Sequence, residues 1–320
     1  MAGRTWVWVL VAALVSAGVV SAIWWAVVFG GLGRAPVEYV AVVELSGVIA
    51  YEESPISLFG TPLTPEKVRR TLDLVSSDPM AKAVVVLVNS PGGSAVASEE
   101  IYRMLKGLAE ERVVVTYISE YGASGGYYIS LAGDEIVASP SSLTGSVGAI
   151  AMVITIEELA ERLGVKAEVF KSGRLKDVGN TWRSMTEEDR RVLQGIIDRV
   201  AEVFQERVRE AREGKVRDWK EVFTAKPYTG LEAYEAGLVD AVGSLEDAVA
   251  RARELAGLPD TAPTRFIKPP SPGLLELLFG GLGGGSRGNL KISYEVLLMW
   301  PPPSLGGDLI VLGAEVLGRD

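Results

Sequence analysis

The sequence predicts an α/β domain with a mainly parallel sheet, preceded by one transmembrane helix. Three observations predict it. An uncharged run of 24 residues, "WVWVLVAALVSAGVVSAIWWAVVF" (Trp6–Phe29), stands near the N-terminus. Apolar stretches such as "AKAVVVLVNSPGG" carry valine at successive positions and end in glycine turns, as buried parallel strands do. Amphipathic stretches of helical period lie between them.

The N-terminal run spans roughly 36 Å as a helix, enough to cross a hydrocarbon core about 30 Å thick. Trp6, Trp8, Trp24 and Trp25 lie towards its ends, where amphipathic rings favour the headgroup region. A cleaved signal peptide is the alternative, with Val20–Ala22 as the cleavage site, but the run continues past that point. The sequence therefore divides into an anchor and linker (1–35), a globular domain (36–257) and a C-terminal extension (258–320).

Within the domain, "VEYVAVVELSGVI" (Val37–Ile49) is a β-branched strand. "TPEKVRRTLDLVSSD" (Thr64–Asp78) is a helix with Thr64 as N-cap and Pro65 at its first position. Strand, small-residue turn and helix then recur through "AKAVVVLVNSPGG", "SAVASEEIYRMLKGLAEE", "RVVVTYIS", "SGGYYISLAG" and "DEIVASP". "EELAERLG" predicts a helix and "VKAEVFKSG" (Val165–Gly173) a strand. "TEEDRRVLQGIIDRVAEVFQERVREARE" predicts a long amphipathic helix whose apolar stripe includes Val200, Phe204 and Val208. A last helix opens at Ser244, with Asp247 three residues on. Beyond Gly257 the chain turns to proline and glycine clusters. Leu274–Leu282 is apolar but too short to span a bilayer. It reads either as a loosely ordered tail or as a segment that packs on a partner subunit or the membrane surface.

Composition narrows the chemistry. A formal charge of −9 with no basic run argues against nucleic-acid binding. Zero cysteines exclude disulfides and thiol catalysis, and zero histidines exclude every imidazole-based nucleophile system and imidazole-ligated zinc. No metal and no cofactor is expected, and no Walker-type loop is present. The bases that remain are Lys, Asp, Glu and Tyr.

Two glycine-rich strand ends, "NSPGGS" (Asn89–Ser94) and "GASGGYY" (Gly122–Tyr128), lie where α/β sheets place their sites. Ser124 sits on such a turn, with the Gly125 N–H beside it and the Gly93 N–H on the other loop, a geometry suited to an oxyanion. The residues alone leave Ser124 open between a nucleophile and an N-cap serine. Lys171 and Lys176 in "FKSGRLKDVGN" are candidate bases. A lysine serves that role only when neutral, which asks the ordinary value of about 10.4 to fall by roughly three pH units, about 4 kcal/mol. Thr144 and Ser146 offer hydroxyls to orient the amine. A solvated Lys176 paired with Asp177 is the alternative.

The motifs "NSPGG", "YGASGGYYIS", "TGSVGAI", "KSGRLKD" and "EAGLVDAVGSLEDAV" resemble, in order, the signal peptide peptidase A family of membrane-anchored Ser/Lys proteases with the Clp/crotonase fold. The resemblance covers roughly Val37 to Leu255 and implies a Clp/crotonase-like arrangement of repeated β-β-α units. It places the nucleophile on Ser124, the general base on Lys176, the lysine-orienting hydroxyl on Ser146, and the oxyanion donors on Gly93 and Gly125. It departs at "FTAKPYTG" (Phe223–Gly230), where the family usually has Gly-Arg before Tyr-Thr-Gly. The resemblance implies cleaved signal peptides as substrates, a cell-membrane location with an extracytoplasmic catalytic domain, and homo-oligomers in which neighbouring subunits share a site. The alternatives are a related Ser/Lys membrane protease that clips stomatin-like proteins, a crotonase-type acyl-CoA enzyme, and a non-catalytic membrane scaffold. The stomatin-clipping type has a shorter spacing than the 52 positions between Ser124 and Lys176 here.

Overall fold

The computed structural model describes residues 3–28, 37–52, 61–268 and 297–299, and the chain divides into two compact units, Met1–Glu38 and Tyr39–Asp320. The first unit is one helix, α1 (Gly3–Val28). Its Trp6–Trp24 stretch has mean hydropathy 2.3 and side chains such as Trp6, Leu14 and Ile23 exposed. By length and composition it suffices to cross a membrane, as the sequence predicts.

In the second unit the first half alternates strand and helix: β1 (Tyr39–Ser46), α2 (Pro65–Ser76), β2 (Ala81–Ser90), β3 (Gly92–Ser94), α3 (Ala95–Glu111), β4 (Val113–Ala123), α4 (Gly125–Ser130), β5 (Glu135–Ala138) and β6 (Leu143–Gly145). The second half carries α5 (Glu157–Arg162), α6 (Glu187–Ala211), α7 (Trp219–Val222), β7 (Pro227–Thr229), α8 (Gly230–Ala236), β8 (Ala241–Val242), α9 (Leu245–Leu255), β9 (Thr264–Ile267) and β10 (Leu297–Met299). The main sheet runs β7-β6-β4-β2-β1-β9. Its pairings are parallel except β6 with β7.

The continuous valine runs are explained by burial on both faces. Ala41, Val43, Leu45, Val84, Val86 and Val88 join the core formed with α2, α3, α4 and α6. The alternate positions Val40, Val42, Ala83 and Val85 pack under α9, against Ala248, Val249 and Ala252. The period-2 alternation of a strand divides one apolar run between two cores. The caps fall where the sequence places them. Thr64 accepts from the Lys67 N–H with Pro65 at the first helical position, and Ser244 and Asp247 form a capping box.

The sheet forks at β4. Val115–Ile118 pair with β5, while Tyr121–Ala123, further along the same strand, pair with β6. The register between β2 and β4 shifts at the same level, so that Ser90 faces Gly122. The fork frees the tip of β4 from one neighbour and hands it to another, and Ser124 is the next residue.

Two sequence expectations differ from the structure. Val165–Gly173 forms no strand; it is irregular, pairs with none of the described strands, and leaves Val165, Val169 and Phe170 exposed instead of adding them to the core. The sheet also continues past Gly257, because β9 adds to the outer edge of β1. Leu274–Leu282 lies outside the described residues.

Candidate active site

Three loops meet at the C-terminal ends of β2, β4 and β6. In the first, Asn89–Ser94, Gly92 and Gly93 have φ of 101° and 152°. A Cβ on Gly93 would stand 1.9 Å from the Ile49 carbonyl oxygen, so only glycine fits there. The loop is pinned by backbone bonds: Ile49 N–H donates to Gly92 O and Ser94 N–H to Ile49 O, both at 2.8 Å. Ser94 then caps α3.

The second loop carries Ser124 between β4 and α4. Its backbone is held at φ 53°, ψ −115°, outside the regions an L-residue ordinarily occupies. Such strain persists only where surroundings enforce it. They do here: the Ser124 N–H donates to Gly145 O (2.8 Å), and its carbonyl accepts from Tyr128 N–H (2.8 Å). Gly126 brings α4 against β2, where a Cβ would meet Ser90 O at 2.2 Å. The two tyrosines fix α4 from the other end. The Tyr127 hydroxyl donates to Leu238 O (2.7 Å), and Tyr128 packs edge-on to Tyr102 and donates to Glu99, which also pairs with Arg207. Burial pushes both phenols well above the ordinary tyrosine value, so they remain neutral donors. Ser124 itself is 1% exposed, and its hydroxyl makes no hydrogen bond among the described residues.

The third loop places Ser146 beside Ser124 in the fold. Ala123 pairs with Gly145 in the sheet, and Ser146, like Ser124, has φ 53°. Ser146 N–H donates to Lys226 O (3.1 Å), so the divergent "FTAKPYTG" segment supports this loop directly. Thr144, the other candidate hydroxyl, donates to Gly122 O (2.7 Å) and is occupied. Gly93, Ser124, Gly125 and Ser146 thus lie on loops tied to one another through the ends of β2, β4 and β6.

Lys176 lies elsewhere in the chain's pattern, on the irregular segment between α5 and α6. It is exposed, and no hydrogen bond joins it to Ser124 or Ser146 within the chain. Nor does it pair with Asp177. That carboxylate is taken by Arg183 (2.9 Å) and Lys171 (2.6 Å), and the Arg183 bond, more than the Lys171 one, holds it far below the ordinary range. Lys176 therefore has no carboxylate partner among the described residues. Sequence reasoning missed the contributions of Asn89, whose side chain accepts from Tyr121 N–H (3.1 Å), and of Glu99. The double tyrosine after "SGG" is the one sequence signal that pointed to such a buttress. Among the described residues no cluster of Asp or Glu is arranged to hold a metal ion.

The profile of Peptidase family S49 matches residues 107–259. The protein slr0021 of Synechocystis sp. is 36% identical over 243 residues, 76% of this chain and 83% of that one. The chloroplastic serine protease SPPA of Arabidopsis thaliana is 30% identical over 246 residues, 76% of this chain; the match spans only 36% of that longer protein. Among solved structures, a membrane-bound stomatin-specific protease is 15% identical, with TM-score 0.47, covering 73% of this chain and 99% of that one. With a relative of this identity matched over most of its length, the chain belongs to peptidase family S49, the signal peptide peptidase A family.

Proposed function

We propose that this chain is a membrane-anchored serine endopeptidase with a Ser/Lys dyad. The observation that carries the reading is the enforced backbone of Ser124: a buried serine in a strained conformation, with an unengaged hydroxyl, on a turn between glycines. An N-cap serine would use its oxygen on the helix, and this one does not. Ser124 Oγ attacks the peptide carbonyl and gives its proton to neutral Lys176. The Gly93 and Gly125 N–H groups hold the oxyanion. The C–N bond breaks as the Lys176 proton passes to the leaving amine, and water, deprotonated by the same lysine, hydrolyses the acyl-enzyme and frees Ser124. Ser146 orients the amine.

The state of Lys176 in one chain supports a site completed by a second copy. The segment that carries it exposes Leu163, Val165, Val169 and Phe170, the last at 92%. An exposed apolar run of this kind suits burial against a partner, and burial beside no carboxylate is what neutralises a lysine. We assign as substrates extended peptides at the membrane surface, remnant signal peptides among them, with α1 as the anchor. The catalytic domain sits on the extracytoplasmic side in this reading. A cavity of about 490 Å³ opens beside the start of α3; Ala95, Val96, Val200 and Val203 give it an apolar wall that suits an apolar side chain, and Glu99, Glu100 and Arg103 line it too.

The test is covalent labelling. A serine-directed acylating reagent should add one group to Ser124, found by mass spectrometry of the tryptic peptide, and abolish cleavage of a fluorogenic apolar peptide. Labelling elsewhere with activity lost, or undiminished cleavage by Ser124→Ala, would remove the nucleophile assignment.

A further inference from the structure

The Gly92–Ser94 strand has two edges, and both are filled. On the inner edge Ile49 takes the Gly92 carbonyl and the Ser94 N–H. Alternation along a strand then turns Gly93's own N–H and C=O to the outer edge. There β10 runs antiparallel, with Leu297 opposite Ser94, Leu298 opposite Gly93 and Met299 opposite Gly92. β10 also comes within 8 Å, Cα to Cα, of both α3 and α4, the helices that open just after Ser94 and Ser124. The sequence leaves the tail open between a loosely ordered stretch and one that packs on a partner or the membrane; at 297–299 it pairs with its own chain, at the candidate site.

We infer that Leu297–Met299 is a built-in occupant of the peptide-binding edge, which competes in cis with substrate for the Gly93 backbone. The inference rests on the proposed reading of Ser124 and Gly93 as peptidase groups. An extended peptide recognised by strand addition is held through main-chain bonds that any sequence can make. The chain's own strand and a substrate therefore need the same donor and acceptor, and one excludes the other. Being covalently attached, the strand competes equally at every enzyme concentration. Substrate sees only the fraction of molecules whose edge is open, so its apparent affinity falls by that fraction.

The experiment uses the full chain. Leu298→Pro removes the N–H that faces Gly93 and disfavours the pairing. KM for a fluorogenic apolar peptide should fall at least about threefold with kcat unchanged, the pattern of a released competitor. A synthetic peptide of residues 293–303 should restore the parental KM to the variant. In a Ser124→Ala background, hydrogen exchange at Gly93 should quicken in the Leu298→Pro protein. Unchanged KM together with unchanged Gly93 exchange would overturn the inference, as would Gly93 protection that disappears on dilution, which would assign the strand to a second copy. Faster exchange in a protein that cleaves no peptide would keep the docking and remove the peptidase reading.

Discussion

Ser124 and Ser146 share a feature that composition does not reveal: both are held at φ 53°, each one residue past the paired ends of β4 and β6. For Ser124 the strain has a measurable consequence. Ser124→Gly should be more stable than Ser124→Ala by roughly 1 kcal/mol, because glycine adopts that backbone without penalty. Thermal melts of the two inactive variants check it, and equal melting would mean the turn is unstrained. Gly93→Ala should fail more severely. Its Cβ would stand 1.9 Å from a carbonyl oxygen, so the loop must move and cleavage should drop on the order of 100-fold, as for loss of an oxyanion donor. At this scale the sequence was informative about serine and glycine, because only these residue types suit a sharp turn with close backbone approach. It offered Thr144 as well as Ser146, although the Thr144 hydroxyl is spent on Gly122 O, and it said nothing of Glu99, which accepts from the Tyr128 hydroxyl.

The elements were legible where one chain settles their burial. The valine runs of β1 and β2 and the caps at Thr64 and Ser244 follow from local pattern. Val165–Gly173 has the apolar residues of a strand, yet Val165, Val169 and Phe170 stay exposed and the segment pairs with none of the described strands, so pattern and outcome part there. The stretch that follows, residues 177–189, is organised by charge. Arg183 bridges Asp177 and Asp189, and its hydrogen bonds are the leading cause that holds both carboxylates below their ordinary value of 3.8. A depressed carboxylate adds stability that is fully present above its unfolded value and is lost as pH falls through the folded one. Hydrogen-exchange protection of residues 177–189, corrected for intrinsic rates, should therefore stay level from about pH 5 to 8 and decline only in stronger acid. Arg183→Ala should remove that protection at neutral pH and expose the segment to limited proteolysis. A decline already under way near pH 6 would show that these carboxylates are not what holds it.

For the whole molecule, the sequence specified the membrane-length helix and the parallel core, but not the fork of β4 or the return of the chain at Leu297–Met299. Those depend on pairings between distant segments, which no local window contains. The pH profile belongs to this scale too. An amine acting as general base requires activity to climb as pH rises, and a flat profile from about pH 5 to 10 would exclude such a base. The most direct measurement mixes two inactive full-length proteins, Ser124→Ala and Lys176→Ala, in detergent, after confirming that subunits exchange. Sites built from one copy's serine and a neighbour's lysine would be intact in about a quarter of random pairings, so about a quarter of parental activity should return. No recovery in fully exchanged mixtures would contradict a site shared between copies.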